Sequence, residues 1–229
     1  MIRLEREGVR LASTDFGGAG PPVVLLHGLG GHTGEWNETA SWLTKGHRVV
    51  ALDARGHGES ERRPADVSLE ACVSDLAFAI QELQLAPMTV IGQSLGAITA
   101  LLVASEHPDL VEAVVIVDAS PAAGDDTIVA GVIEGLATWP QPQFDLDVME
   151  RMLRETLGRS FWSEWERIKC PTLVVRAGRG DVRAAEAQEM VQRLPQARLV
   201  EIPGAGHDLH LDSPAEWRAA LEEFLHPPV

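Results

Sequence analysis

Ser94 is the residue whose surroundings most strongly suggest covalent chemistry. It lies in Gly92-Gln93-Ser94-Leu95-Gly96, between an apolar run at 88–91 and a helical pattern that begins at 95. A serine at G-x-S-x-G spacing can occupy a strained strand-to-helix turn, because flanking glycines have no side chains to collide with the strand and the helix. The first amides of the following helix would then point at the hydroxyl and stabilise charge that develops on a substrate oxygen. The spacing predicts Ser94 as a nucleophile.

A serine nucleophile needs a general base, and His207 is the best candidate. It stands in Pro203-Gly204-Ala205-Gly206-His207-Asp208, directly after an apolar run at 198–202 that is typical of a strand. The glycines of this loop allow it to approach other loops closely. Of the eight histidines, His57, His107 and His226 are interpreted as surface or turn residues. We therefore predict that His207 accepts the serine proton.

An aspartate that orients the histidine has two main candidates. Asp181 follows the predicted strand 172–175, and we expect its carboxylate to hydrogen-bond the imidazole and fix its tautomer. Asp118 ends the predicted strand 111–117 and is the alternative acid, although an aspartate there is also typical of a turn or a helix cap. Asp208, beside the base, is a third candidate. The order Ser94, Asp181, His207 places three roles after three successive strands.

The elements that must position these residues alternate between strand and helix. A hairpin of 2–5 and 9–15 precedes buried apolar runs that predict strands at 23–26, 48–52, 88–91, 111–117, 172–175 and 198–202. Helical spacing occurs at 36–43, 68–83, 184–194 and 214–225, and after Ser94. We predict an α/β fold, a doubly wound and mostly parallel sheet with an antiparallel N-terminal edge hairpin. Reactive groups in such sheets collect beyond the carboxyl ends of the strands.

The length, composition and charge of the chain limit the number of domains and the classes of partner that it can bind. The 229 residues, 45% of them hydrophobic and 23% charged, suit one α/β domain over 1–229. A formal net charge of -15 without any Lys/Arg cluster argues against nucleic acid and anionic lipid. Cys72 and Cys170 are interpreted as buried free thiols, and no run is long enough to span a bilayer. We expect a cytoplasmic protein whose partner is a small-molecule substrate, with no membrane, metal or cofactor.

Five motifs in this order resemble the α/β-hydrolase superfamily, in particular its smaller esterases, lactonases, carbon–carbon bond hydrolases and cofactor-free haloperoxidases. They are 27–31 with Trp36, 53–60, 92–96, 178–181 and 206–207. The resemblance implies that the backbone N–H groups of Leu29 and Leu95 form the oxyanion hole. It also implies that the loop 53–60 is a hydrogen-bonded structural corner rather than part of the catalytic machinery.

The stretch 119–167 departs most from the family, and we expect it to be a short lid. Much of it is predicted to be irregular, but Ile128, Val132, Ile133 and Leu136 form one apolar helix face. Trp139 follows that face. Ile128, Ile133 and Trp139 are predicted as pocket residues, with the alternative that the lid tryptophans only anchor the lid to the core.

Three hypotheses of function follow. The favoured one is a serine hydrolase that cleaves a carboxylic ester, lactone or thioester of a small to medium apolar substrate. The second is a carbon–carbon bond hydrolase, cofactor-free haloperoxidase, lyase or biosynthetic enzyme with the same site, since fold and triad do not determine the reaction. The third is a ligand sensor without turnover.

Overall fold

A twisted, mostly parallel sheet organises the computed structural model, which describes residues 1–226. Its strands are β1 (Ile2–Arg6), β2 (Val9–Gly17), β3 (Pro22–Leu26), β4 (Arg48–Asp53), β5 (Met88–Gln93), β6 (Val111–Val117), β7 (Thr172–Ala177) and β8 (Ala197–Ile202). These eight strands are ordered β1-β2-β4-β3-β5-β6-β7-β8, and β1 and β2 are antiparallel at one edge. The predicted fold class, including the edge hairpin, is confirmed.

Continuous apolar runs form the central strands because both faces of the sheet are covered. In β3, Val24 packs into one hydrophobic cluster, whereas Val23 and Leu25 pack into the cluster on the opposite face. All three side chains are fully buried. Because β3, β5, β6, β7 and β8 run parallel to one another, their carboxyl ends lie along the same edge of the sheet. The loops that follow these strands meet at that edge.

Different helices cover the two faces of the sheet. Trp36, Trp217 and Leu221 belong to one cluster, to which the helices at 37–43 and 214–225 contribute. The helices at 69–82 and 95–106 and the segment 119–167 pack in the other cluster. The helices are α1 (Asn37–Leu43), α2 (Leu69–Glu82), α3 (Leu95–Glu106), α4 (Val129–Ala137), α5 (Leu146–Leu157), α6 (Trp162–Trp165), α7 (Ala184–Arg193), α8 (Leu209–Asp212) and α9 (Pro214–Leu225).

The segment 119–167, called the lid below, is more regular than the sequence indicated. The prediction of a largely irregular stretch was wrong, because α4, α5 and α6 occupy much of it. Helix α5 begins at a cap in which Asp145 accepts a hydrogen bond from the amide of Asp147, and it buries Val148, Met149 and Met152. Those buried positions recur at helical spacing within a strongly charged sequence, so α5 is an amphipathic helix.

Within residues 1–226, no helix is both long enough and apolar enough to cross a membrane.

Candidate active site

The turn between β5 and α3 holds Ser94 in a strained backbone conformation. Its φ of 52° and ψ of -117° are unusual for a residue with a side chain. A Cβ atom at Gly92 would collide with the carbonyl of Gly96, and one at Gly96 would collide with the carbonyl of His27. Only glycine at both positions lets the strand, the helix and the neighbouring loop approach so closely. The turn thus fixes where the Ser94 hydroxyl points.

Ser94 lines a cavity of about 700 Å³ that lies between the sheet and the lid. Several predicted site residues share this cavity. Among its lining residues are Leu29, Ser94, Leu95, Asp118, Asp181 and His207. The carboxyl ends of β3, β5, β6, β7 and β8 therefore contribute to one space, as the topology requires.

Asp118 makes the shortest contact to His207. Its Oδ2 lies 2.7 Å from Nδ1 of His207, and its side chain is fully buried. A carboxylate can only accept, so Nδ1 carries the proton and Nε2 is left free to accept another. Asp118 also accepts hydrogen bonds from the amides of Ala177, at 3.1 Å, and Asp181, at 2.9 Å. Its position is thus determined by three N–H donors.

Asp181 also approaches the imidazole, but in a different setting. Its Oδ2 lies 3.4 Å from Nδ1 of His207, and 77% of its side chain is exposed. Asp181 donates its own amide to Asp118, and a Cβ atom at Gly180 would overlap the Asp118 carboxylate. The loop Gly178–Asp181, which the sequence suggested as the source of the acid, thus forms part of the pocket that holds Asp118. Of the two predicted acids, the one considered as the alternative has the closer and better buried contact.

Opposing effects act on the pKa of His207. Burial lowers it, but the hydrogen bond from Nδ1 to Asp118 and the charges of Asp181, Asp118 and Asp208 outweigh burial and raise the pKa above its ordinary value. Gln93 connects this loop to the nucleophile turn, since its Nε2 donates to the carbonyl of His207 at 3.3 Å and to Oδ1 of Asp208 at 3.2 Å. Asp208 thus accepts a hydrogen bond from Gln93, whereas Nδ1 of His207 donates its hydrogen bond to Asp118.

The loop after β3 carries the amide of Leu29 to the cavity. Within residues 1–226, no hydrogen bond engages the amides of Leu29 or Leu95, and both residues line the cavity. The next amide, that of Gly30, donates to Nε2 of His57 at 3.0 Å. These two N–H groups thus belong to residues that line the same cavity as Ser94.

His57 lies in a turn, as one of its two interpretations held, but it is completely buried, so a place on the surface was wrong. Burial and the neighbouring His27 lower its pKa to about 3, which leaves the ring neutral at neutral pH. Because Nε2 accepts from Gly30, Nδ1 carries the proton and donates to the carbonyl of Arg55 at 3.0 Å. The imidazole therefore links the corner loop to the loop that carries Leu29. The sequence offered one signal of this structural role, because His57 lies in the motif 53–60, which the family resemblance had already identified as a hydrogen-bonded structural corner.

Side-chain hydrogen bonds and an ion pair hold the rest of the corner loop. Asp53 accepts from the amides of Thr33, at 2.7 Å, and Glu59, at 3.0 Å. Arg55 forms a buried, bidentate ion pair with Asp75, with distances of 2.7 and 2.8 Å. These contacts are internal to the corner and to its neighbours, as expected of a structural element.

The lid contributes apolar side chains to the cavity, but not all of those predicted. Ile128 and Trp139 line it, and both are partly exposed. Ile133 does not line it and instead packs against the large hydrophobic cluster, so its assignment to the pocket was wrong. The cavity-lining residues Ile128, at the N-cap of α4, and Val132 and Leu136, within α4, follow i, i+4, i+8 spacing. Ile133 is rotated by about 100° from Val132 around the helix axis.

The described residues hold no cluster suited to a metal. In residues 1–226, no group of three or more His, Cys, Asp or Glu side chains is arranged to bind a metal ion. The groups that line the cavity include the hydroxyl of Ser94, the imidazole of His207 and the carboxylates of Asp118 and Asp181.

Comparison with known proteins agrees with this architecture. Residues 21–147 match a family model described as the alpha/beta hydrolase fold. The mouse sn-1-specific diacylglycerol lipase ABHD11 is 30% identical over a 249-residue alignment that covers 90% of this chain and 81% of the relative.

Two solved structures show the same fold along nearly the whole chain. The alpha/beta hydrolase MGS-M2, from a deep-sea metagenome, has a TM-score of 0.90 at 20% identity and covers 100% of this chain and 98% of its own. The enol-lactonase of Burkholderia xenovorans has a TM-score of 0.87 at 21% identity, with 98% and 99% covered. With the family match and the mouse relative, these likenesses establish that the chain belongs to the α/β-hydrolase family and is a hydrolase.

Proposed function

We propose that this hydrolase cleaves a carboxylic ester, lactone or thioester of a small to medium apolar substrate through a covalent acyl-serine. The observation that carries the proposal is the buried Asp118–His207 hydrogen bond of 2.7 Å, in the same cavity as the strained Ser94. An orienting acid, a base and a serine are the parts that nucleophilic catalysis of acyl transfer needs.

The reaction proceeds in two halves. Oγ of Ser94 bonds to the substrate carbonyl carbon while its proton passes to Nε2 of His207, and the resulting oxyanion is stabilised by the amides of Leu29 and Leu95. The bond to the leaving group then breaks, and His207 returns the proton to the departing oxygen or sulfur. Water attacks the acyl-serine with the same base, and the carboxylic acid and free Ser94 are regenerated.

We assign the orienting role to Asp118 rather than Asp181. The contact of Asp118 to Nδ1 is shorter, 2.7 against 3.4 Å, and its carboxylate is shielded from water. A buried, hydrogen-bonded carboxylate holds the tautomer and stabilises the imidazolium more strongly than an exposed one. Asp181 supports it with a backbone N–H and with longer-range charge.

Apolar side chains support the choice of substrate class. Besides Ile128 and Trp139, the cavity is lined by Val132, Leu136, Leu153 and Phe161. Such a lining stabilises an apolar acyl group by excluding water from it. The mouse relative is named a diacylglycerol lipase and one structural neighbour an enol-lactonase, and both names describe ester cleavage. A cytoplasmic location stays a prediction.

Ser94→Ala tests the proposal directly. We expect p-nitrophenyl ester turnover to fall to background while the thermal midpoint stays within about 2 °C of the wild type, because Ser94 is only partly buried and its hydroxyl makes no structural hydrogen bond to the described residues. A fluorophosphonate should label the wild type at Ser94, as located by peptide mass mapping. Wild-type turnover by the variant, or an adduct on another residue, would contradict the mechanism. Metal-free, peroxide-dependent halogenation in place of ester cleavage would favour the haloperoxidase alternative.

A further inference from the structure

Charge is distributed unevenly around the cavity. Five carboxyl groups line it, those of Asp118, Asp125, Asp181, Glu186 and Asp208. In residues 1–226, Arg183 is the single lysine or arginine among the lining residues. An acyl group that carries its own carboxylate would need that guanidinium as its partner.

Arg183 is already engaged. Its Nε lies 2.9 Å from Oε1 of Glu186, and its Nη2 contacts the same oxygen. Glu186 also accepts a hydrogen bond from the backbone amide of Arg183 through Oε2, at 3.3 Å, at the start of α7. The local helix start therefore directs the Glu186 carboxylate onto the guanidinium.

The pair neutralises the charge of the single lysine or arginine that lines the cavity within residues 1–226. The other lining carboxylates include Asp125, which accepts a hydrogen bond from the amide of Thr127, and the largely exposed Asp181. Their charges repel an incoming anion, and the effect is strongest at low ionic strength.

We propose that the Arg183–Glu186 pair is a specificity determinant that makes the site select acyl groups without negative charge. This inference rests on the proposed function and narrows its substrate class. Neutral acyl groups fit the apolar lining, whereas a dicarboxylic half-ester meets several carboxylates and a guanidinium that Glu186 already occupies.

Two esters of nearly identical shape test the selection. Mono-p-nitrophenyl adipate carries a terminal carboxylate, and p-nitrophenyl 6-oxoheptanoate carries a methyl group in place of one carboxylate oxygen. We expect kcat/KM for the anionic ester to be at least about tenfold lower at low salt, and the difference to shrink as salt screens the repulsion. Spontaneous hydrolysis is subtracted with Ser94→Ala. Equal values, or a preference for the adipate, would overturn the proposal.

Glu186→Gln tests the role of the pair. Glutamine keeps a side-chain acceptor for the amide of Arg183 but frees the charge of its guanidinium, so the ratio of kcat/KM for the adipate to kcat/KM for the neutral ester should rise roughly three- to tenfold.

Glu189→Gln is the matched control. Glu189 lies on the same helix and pairs with Arg193, away from the cavity lining. The substitution removes the same charge from the protein, and we expect neither ester to respond. An equal rise in adipate turnover in both variants would show a general charge effect and overturn the assignment. Failure of the proposed function looks different, because then neither ester is cleaved above the Ser94→Ala rate and the fluorophosphonate does not label Ser94.

Discussion

The loops at the strand ends and the lid face each other across one cavity, but they are held in different ways. On the sheet side, Asp118 and His57 are buried and bonded to backbone groups of neighbouring loops. On the lid side, Ile128 and Trp139 are 47% and 41% exposed. Hydrogen bonds with fixed donors define angles and distances, whereas apolar contacts define only a volume.

The difference separates two kinds of effect. Substitutions on the sheet side should act on the reacting atoms and therefore on kcat, whereas substitutions on the lid should act on the acyl chain and therefore on KM. Each experiment below tests whether one side behaves as this comparison requires.

The largest effect should come from Asp118→Asn. The amide is similar in size, but its NH2 group can favour the wrong tautomer of His207, so we expect kcat to fall by roughly a thousandfold or more. Asp181→Asn, with an exposed side chain 3.4 Å from Nδ1, should lose less than about tenfold. Steady-state kinetics with one short p-nitrophenyl ester measure both. Reversed losses would assign the orienting role to Asp181, as the sequence suggested.

His57→Ala should have the next largest effect. It leaves the amide of Gly30 without its acceptor and frees the loop that carries Leu29, so kcat should fall by about ten- to a hundredfold, less than the loss of an oxyanion donor outright. His47→Ala is the control, because His47 is also buried and burial lowers its pKa, but it packs against His226. Both variants should lower the thermal midpoint, and only His57→Ala should lower kcat. Equal kcat values in the two variants would remove His57 from the positioning of the loop.

The pH profile tests the coupling between Asp118 and His207. The base must be neutral to accept a proton, so kcat/KM rises as pH increases through the pKa of His207, which the hydrogen bond to Asp118 and the surrounding carboxylates raise above its ordinary value. The Asp118→Asn variant removes a charge that favours the imidazolium, and the midpoint should move to lower pH. The profile of residual activity in that variant provides the measurement. An unchanged midpoint would mean that Asp118 has only a structural role.

Much of the sheet and of the site could be predicted because their signals are local. The buried strands are continuous apolar runs, and helix α9 was predicted with the bounds it has, Pro214–Leu225. The choice between Asp118 and Asp181 could not be made from local patterns. The two residues follow the neighbouring strands β6 and β7, and the choice depends on which carboxylate reaches Nδ1 of His207 in the folded chain. The burial of His57 was missed for the same reason, because its partner Gly30 lies 27 residues away.

The lid was least predictable, since its helices pack through side chains whose partners are distant in sequence. The helical face at Ile128, Val132, Ile133 and Leu136 was identified, but its exact orientation depends on the core beneath it. Helix α5 was missed although its charged residues alternate with apolar ones at helical spacing. Two neighbouring residues then differ: Val132 and Ile133 both pack against the large hydrophobic cluster, but only Val132 also lines the cavity.

The smallest effects should separate these two kinds of lid residue. Trp139→Ala removes an aromatic side chain that lines the cavity and contacts Phe144 edge-on at 5.9 Å between ring centroids. We expect KM for a long-chain p-nitrophenyl ester to rise about threefold to tenfold, with little change in kcat for the acetate, because the tryptophan contacts the acyl chain and not the carbonyl. Ile133→Ala serves as the contrast. It should lower the free energy of unfolding by about 1–2 kcal/mol, less than a fully buried isoleucine because its side chain is partly exposed, and leave the chain-length preference unchanged. Ester series of graded length and urea unfolding measure the two effects. If Ile133→Ala shifted the preference as strongly as Trp139→Ala, the apolar face of α4 would act on the substrate as a unit, and the distinction between cavity-lining and core-packing positions of the lid would fail.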